Sequence, residues 1–119
     1  MECLEFKKKH KKYSQFPLTR ELSESEEYEL FLNHLDSCGE CYEWDLNISI
    51  EKRGFSSKNF PCVHIAYHVT AGLADNIDPW DDPDIVLVKT SHGYGIPIRD
   101  GGSSMIKVEN CPWCGIKIK

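Results

Sequence analysis

Two pairs of cysteines with the same spacing are the residues of this chain best suited to chemistry. Cys38-Gly-Glu-Cys41 and Cys111-Pro-Trp-Cys114 each place two thiols three positions apart. A tight turn aims both sulfurs of such a pair at one metal ion, and four thiolates complete a tetrahedral zinc site with no position open for water. The spacing therefore predicts a single structural Zn²⁺ bound by Cys38, Cys41, Cys111 and Cys114.

The chain has six cysteines, which leaves a disulfide framework as the main alternative. The first ten residues lack the apolar stretch of a secretory signal. We therefore expect a cytoplasmic protein with reduced thiols. A redox function of the C-x-x-C pairs is disfavoured because no βαβ pattern surrounds them. Cys3 is given no specific role.

Cys62, His64 and His68 lie on one face of a predicted strand and form a second candidate cluster. They could bind a second metal, supply an alternative ligand to the first site, or simply be polar residues on a half-exposed sheet face. A cysteine–histidine nucleophilic pair is disfavoured, because neighbours on one strand face rarely align base and nucleophile and no third orienting group is evident. We expect no enzymatic activity.

An acidic segment with a central tryptophan is the candidate partner-binding surface. Its spacing differs from that of an EF-hand calcium loop. The tryptophan either anchors a partner while the surrounding charges steer a basic protein towards it, or folds back over the sheet. The residues concerned are Asp75, Asp78, Trp80, Asp81, Asp82 and Asp84.

Charge is divided unevenly along the chain, whose net charge is −5. Residues 1–20 hold six basic and two acidic residues, whereas residues 21–119 hold eight basic and 17 acidic ones. An acidic body repels a phosphate backbone, so only the lysine-rich arm formed by residues 1–20 is suited to nucleic acid. No apolar run reaches the length of about 18 residues that a membrane span needs.

The elements that must position these residues are one helix and several strands. Tyr28, Phe31, Leu32 and Leu35 form an apolar stripe that predicts a helix over residues 24–36, capped by Ser23. Alternating apolar and polar residues, or short apolar runs, predict strands at residues 44–51, 62–70, 85–88, 96–98 and 105–108. We therefore expect a basic N-terminal arm, or a short irregular helix, over residues 1–20. A single zinc-binding α+β domain should follow over residues 21–119, with an N-terminal helix packed on a mostly antiparallel sheet of about five strands and a zinc-ribbon-like site of four cysteines.

The C-terminal third also carries a resemblance. Asp100-Gly-Gly-Ser-Ser-Met-Ile, a short strand and Cys111-Pro-Trp-Cys-Gly115 resemble the C-terminal signature of a bacterial family of small, uncharacterised cysteine-rich proteins. An upstream C-x-x-C and a Pro/Asp-rich loop extend the resemblance to about residues 38–119. Members of that family often carry Tyr where this chain has Met105. The resemblance implies a zinc-ribbon-like fold and no established activity.

These features favour a non-catalytic zinc protein that binds another protein. By analogy of size and charge, an immunity-type inhibitor that neutralises a cationic toxin is the expected function. The alternative is a nucleic-acid-binding zinc ribbon that uses the lysines of residues 7–12 as its phosphate-contacting arm.

Overall fold

The computed structural model describes residues 1–118. The chain divides into two compact units, Met1–Asp45 and Leu46–Lys119, here called the N-terminal unit and the C-terminal unit. Within the described residues, no helix is long and apolar enough to cross a membrane.

The N-terminal unit is helical. It contains α1 (Cys3–Tyr13), α2 (Arg20–Ser23), α3 (Glu26–Ser37) and the beginning of α4 (Gly39–Lys52). The segment expected to be an arm or a short irregular helix thus holds a regular helix over Cys3–Tyr13, because Phe6, His10 and Tyr13 recur on one face and are buried. The helix predicted over 24–36 is confirmed as α3, although its cap is Ser25, whose hydroxyl accepts the amide of Tyr28 at 3.1 Å.

An aromatic core holds the N-terminal unit together. The rings of Phe6 and Phe31 stack with centroids 4.4 Å apart, and Tyr13 packs on Phe31 at 5.2 Å. Cys41 belongs to the same buried cluster, and Cys38 packs against it. The core of this unit is therefore built directly around two of the thiols that the sequence singles out.

The C-terminal unit combines helices with a small sheet. After α4 come a 3₁₀ turn (Ser57–Asn59), α5 (Val63–Asp75) and three strands: β1 (Val88–Thr90), β2 (Gly93–Pro97) and β3 (Met105–Lys107). The strands pair antiparallel in the order β1-β2-β3, with Val88 opposite Gly95 and Ile96 opposite Ile106. The class is a mixed fold of helices and a small antiparallel sheet, and the sheet has three strands instead of the expected five or so.

Two of the expected strands are helices. Residues 44–51 lie in α4 and residues 63–70 lie in α5. In α5 the buried positions Ile65, Ala66, Val69 and Thr70 follow the helical period, which the even alternation of Val63, Ile65, Tyr67 and Val69 had obscured. The apolar run at 85–88 is buried at Ile85, Leu87 and Val88 but joins the sheet only from Val88 onward.

The core of the C-terminal unit lies between α5 and the sheet. Ile65 and Val69 of α5 meet Leu87, Tyr94 and Cys111 in one buried cluster. Cys62 packs against its edge. Each unit therefore has its own core, and each core contains cysteines.

Candidate metal centres

The N-terminal unit brings three cysteines and a histidine together. Cys3, His34, Cys38 and Cys41 each offer one ligand atom, and these four atoms all lie within 4.8 Å of one another. Cys3 is the first residue of α1, His34 lies in the last turn of α3, and Cys41 lies in the first turn of α4. Cys38 occupies the junction between α3 and α4. We call these four residues the N-terminal group.

The spacing of the donor atoms in the N-terminal group suits a tetrahedral metal ion. The Sγ atoms of Cys3 and Cys38 are 3.7 Å apart, far beyond a disulfide bond. A tetrahedron with metal–sulfur bonds of about 2.3 Å has sulfur–sulfur edges of about 3.8 Å. The Nε2 atom of His34 lies 3.3 Å from the Sγ of Cys41. Both separations are close to the edges of a zinc-sized coordination tetrahedron.

The two thiols of the first C-x-x-C pair differ in acidity. The backbone amide of Cys41 lowers the pKa of Cys38, since it donates to the Cys38 sulfur at the beginning of a helix. Burial raises the pKa of Cys41 to about 12, and the neighbouring thiols Cys3 and Cys38 add to this effect. A buried thiol among other thiols is costly to ionise unless a cation compensates the charge. A metal ion bound by the group would supply that compensation.

The C-terminal unit contains a second group of the same composition. The ligand atoms of Cys62, His64, Cys111 and Cys114 also lie within 4.8 Å of one another. Cys62 caps α5, with its sulfur accepting the amide of Ile65 at 3.5 Å, and His64 lies in the first turn of α5. Cys111 and Cys114 lie in a turn after β3. We call these residues the C-terminal group.

Backbone hydrogen bonds shape the turn that carries Cys111 and Cys114. The amides of Trp113 and Cys114 both donate to the sulfur of Cys111, each at 3.4 Å. Gly115, at φ +78°, bends the chain so that its amide returns to the carbonyl of Cys111 at 2.9 Å. The turn thus points amide dipoles at a sulfur, which is the arrangement that favours a bound thiolate.

The acidities of the C-terminal group differ in the same way. Burial raises the pKa of Cys111, but the backbone amides of Cys114 and Trp113 outweigh it, so that the pKa is lowered. Burial raises the pKa of Cys62 to about 12, against a smaller opposing effect of the Ile65 amide. Cys62, like Cys41, is a thiol whose ionised form needs a cation beside it.

The structure distributes the four predicted zinc ligands differently from the expected single site of four cysteines. Cys38 and Cys41 belong to the N-terminal group, whereas Cys111 and Cys114 belong to the C-terminal group. The helical conformation of residues 63–75 explains this distribution. Because these residues form α5, Cys62 and His64 lie at its N-terminus, beside the turn that carries Cys111 and Cys114. The other C-x-x-C pair, Cys38 and Cys41, is completed to four donor residues by Cys3 and His34.

Sequence reasoning recognised some of these partners and missed others. Cys62 and His64 were candidates for a second metal site or for alternative ligands, and the structure places them with Cys111 and Cys114. His68 stands outside that group and stacks on Trp113. Cys3 and His34 were missed. His34 could have been noticed, since it precedes Cys38 by four positions at the end of a predicted helix and therefore shares its face.

The acidic segment is ordered by contacts of its own. The side chain of Trp80 is partly buried and donates from Nε1 to the carbonyl of Ser104 at 2.8 Å, so it folds back and is not a projecting anchor. Arg99 donates to the carbonyls of Pro79 and Asp82, at 3.1 and 2.7 Å, and to that of Ile85. The carboxylates of the segment remain at the surface: Asp75, Asp78, Asp81 and Asp84 are exposed and Asp82 is half-buried.

The lysines expected to contact phosphate are partly neutralised within the N-terminal unit. Lys9 pairs with Glu27 and with Glu5, and Lys12 pairs with Glu27 at 3.2 Å. Lys8 and Lys11 are exposed. Helix α1 thus offers fewer free charges than its sequence indicates.

Comparison with known proteins gives a family but no activity. No curated protein and no solved structure matches the chain. The model of a family described as a domain of unknown function, DUF6980, matches residues 59–119. This segment holds the whole C-terminal group and none of the N-terminal group. Because the match covers more than half of the chain, this protein belongs to the DUF6980 family.

Proposed function

We propose that this protein is a non-catalytic zinc protein in which each of the two groups of three cysteines and one histidine binds one structural Zn²⁺. The observation that carries the proposal is the convergence of four donor atoms within 4.8 Å in each group. Three thiolates and one imidazole complete a tetrahedral shell and leave no position for a water or a substrate. Such an ion stabilises the fold and does not act as a Lewis acid.

The donor chemistry favours zinc over other abundant cations. Thiolate and imidazole ligands are too soft for Mg²⁺ or Ca²⁺, which take oxygen ligands, and a tetrahedral sulfur-rich set is typical of zinc. Each unit is also small and buries few side chains. Small units with limited cores commonly depend on a metal for part of their folding free energy.

Metal analysis of the purified chain tests this proposal. We expect about two equivalents of zinc per chain, and about one in each of the variants Cys38→Ser and Cys111→Ser. The matched control is His92→Asn, which alters an exposed histidine outside both groups and should retain about two equivalents. Folded parent protein with about one equivalent of zinc or less after expression in zinc-supplemented medium contradicts the proposal.

We propose that this protein acts by binding a partner protein, in the manner of an immunity protein that neutralises a cationic toxin. Charge supports it: residues 1–45 hold eleven acidic and six basic residues. Five further aspartates lie within residues 75–84, where Arg99 and Trp80 order the segment. An ordered acidic surface steers a basic partner and loses little conformational entropy when it binds.

Co-expression with the products of the neighbouring genes, followed by calorimetry on any complex, tests the partner. We expect a stoichiometric complex with a basic protein, weakened about tenfold or more by the double variant Asp81→Asn/Asp84→Asn. Asp36→Asn, an exposed change outside the acidic segment, serves as the control. Absence of any stoichiometric complex refutes this mode of action.

A further inference from the structure

A second charged surface of the C-terminal unit is a groove of about 930 Å³. Four lysines from separate parts of the chain line it: Lys58, Lys89, Lys107 and Lys117. All four side chains are exposed. Glu109 is the one acidic residue of its lining within the described part of the chain. The groove is therefore a site of concentrated positive charge.

The positive charge of the groove is not compensated by ion pairs. Within residues 1–118, none of the four groove lysines pairs with a carboxylate. Lys89 lies over the ring of Tyr94, 5.7 Å from its centroid, which leaves its charge available. By contrast, Lys9 and Lys12 of α1 are engaged by Glu27. Three other lysines of α1, Lys7, Lys8 and Lys11, are exposed and take part in none of the ion pairs of the described residues, so the groove has the larger set of unpaired lysines, four against three.

The C-terminal unit itself carries no excess of negative charge to oppose an anionic ligand at this groove. Residues 46–119 hold eight basic and eight acidic residues, so the net charge of −5 comes from residues 1–45. Five of those eight acidic residues are confined to the segment 75–84. Salt screens exposed charges over about 8 Å at physiological ionic strength, so an anion in the groove responds mainly to nearby lysines.

Apolar and aromatic side chains form part of the groove lining, here called its floor. Phe60, Val108 and Ile118 are partly buried against the core and line the groove together with Tyr94. Lys117 lies just beyond the cysteine turn, where it pairs with Asn110 in an isolated antiparallel bridge. A cationic rim above an apolar floor is typical of surfaces that follow the backbone of a single strand and accept its bases.

We propose that this groove binds single-stranded nucleic acid, with the four lysines contacting successive phosphates and the apolar floor receiving bases. A duplex keeps its bases stacked inside and gains nothing from the floor, so a single strand is favoured. This inference goes beyond the proposed function. It also moves the nucleic-acid contact from the lysine-rich helix to the C-terminal unit.

Fluorescence anisotropy with the zinc-loaded full chain and a labelled oligothymidylate of about 20 nucleotides tests the proposal. Four phosphate contacts on a single strand predict a slope of log K against log salt of about −3. The double variant Lys89→Gln/Lys107→Gln should reduce this slope to about half and weaken binding about tenfold or more at low salt. Lys8→Gln/Lys11→Gln, which removes two exposed charges of α1, should leave both quantities unchanged.

Other arms of the experiment separate the alternatives. The variant Lys58→Gln/Lys117→Gln repeats the test on the two groove lysines outside the sheet, and zinc content with circular dichroism confirms that each variant is folded. Equal losses of affinity for the oligothymidylate in the α1 and groove variants overturn the proposal, as does the absence of binding at about 50 mM salt. Equally tight binding of a duplex or of a polyglutamate peptide also overturns it, the latter in favour of an acidic protein ligand.

Discussion

The indole of Trp113 stacks on the imidazole of His68, with ring centroids 4.0 Å apart and planes inclined by only 5°. Trp113 lies inside the turn between Cys111 and Cys114, and His68 lies one helical turn after His64 on α5. The two elements that supply the C-terminal group are therefore joined by a ring contact beside that group. Burial lowers the pKa of His68, helped by the charge of Arg53, so the ring in this stack is neutral at pH 7.

Loss of this stack should weaken the C-terminal unit without removing a ligand. We expect Trp113→Ala to lower the free energy of unfolding by about 1–2 kcal/mol, because the indole is 44% exposed and contributes mainly through its ring contact. Urea unfolding of the zinc-loaded protein measures the change, and zinc transfer to a chelator should become faster. Trp113→Phe should retain most of the stability. A variant as stable as the parent chain shows that the stack contributes nothing.

Gly95 of β2 lies where β3 leaves little room for a side chain. A Cβ at this position would lie 2.5 Å from the Sδ of Met105 and 3.0 Å from the carbonyl oxygen of Ile106. The thioether can move, but the backbone oxygen cannot move without disturbing the ladder. We expect Gly95→Ala to destabilise the protein by about 1–3 kcal/mol in urea unfolding.

A double-mutant cycle with Met105→Ala separates the two clashes at Gly95. The second substitution should recover part of the lost stability, since it removes the thioether and leaves the carbonyl of Ile106 in place. An unchanged stability of Gly95→Ala contradicts the packing described for this pair of strands.

Helix α3 was predictable from sequence because its signals are local. An apolar stripe and a preceding serine lie within a few residues of the helix they define. The alternation of apolar and polar residues in α4 and α5 is equally local but misleading, because a run of about eight residues fits both a strand and a helix. In α5, the packing of Ile65 and Val69 into the core favours the helix. Propensity for strands yields to tertiary contacts in such segments.

The candidate site shows the same limit. Each C-x-x-C pair is a local signal, so the four thiols could be identified as candidate metal ligands. Their partners depend on where distant residues meet. Cys3 and Cys38 stand 35 positions apart in the chain, and only the packing of α1 against α3 brings them together. A pattern that names two ligands cannot name the other two.

The N-terminal group should hold α1 in place through Cys3. We expect Cys3→Ser to increase amide hydrogen exchange across Cys3–Tyr13, because the first residue of the helix loses its link to the metal. Zinc content should fall by about one equivalent. Leu4→Ala is the control, since this neighbouring side chain is 65% exposed and supplies no ligand. If protection in α1 is unaffected by Cys3→Ser, the helix does not depend on the metal.

Glu27 should make the stability of the N-terminal unit depend on acid pH. Its carboxylate accepts from Lys9, from Tyr13 at 2.6 Å and from Lys12 at 3.2 Å, and these hydrogen bonds lower its pKa from 4.5 to about 2. A lowered folded-state pKa contributes stability that is fully present above the unfolded value of 4.5 and is lost as the pH falls towards 2.

The comparison of Glu27→Gln with the parent chain isolates this contribution. The difference in unfolding free energy should be constant above about pH 5 and should shrink between about pH 4.5 and 2. Metal release at acid pH affects both proteins equally and cancels in the difference. Glu24→Gln is the control, because it removes an exposed carboxylate whose ion pair with Arg20 is itself exposed. The difference in unfolding free energy between this variant and the parent chain should not change with pH in this way. A difference for Glu27→Gln that stays constant down to about pH 3 contradicts the three-partner arrangement around this carboxylate.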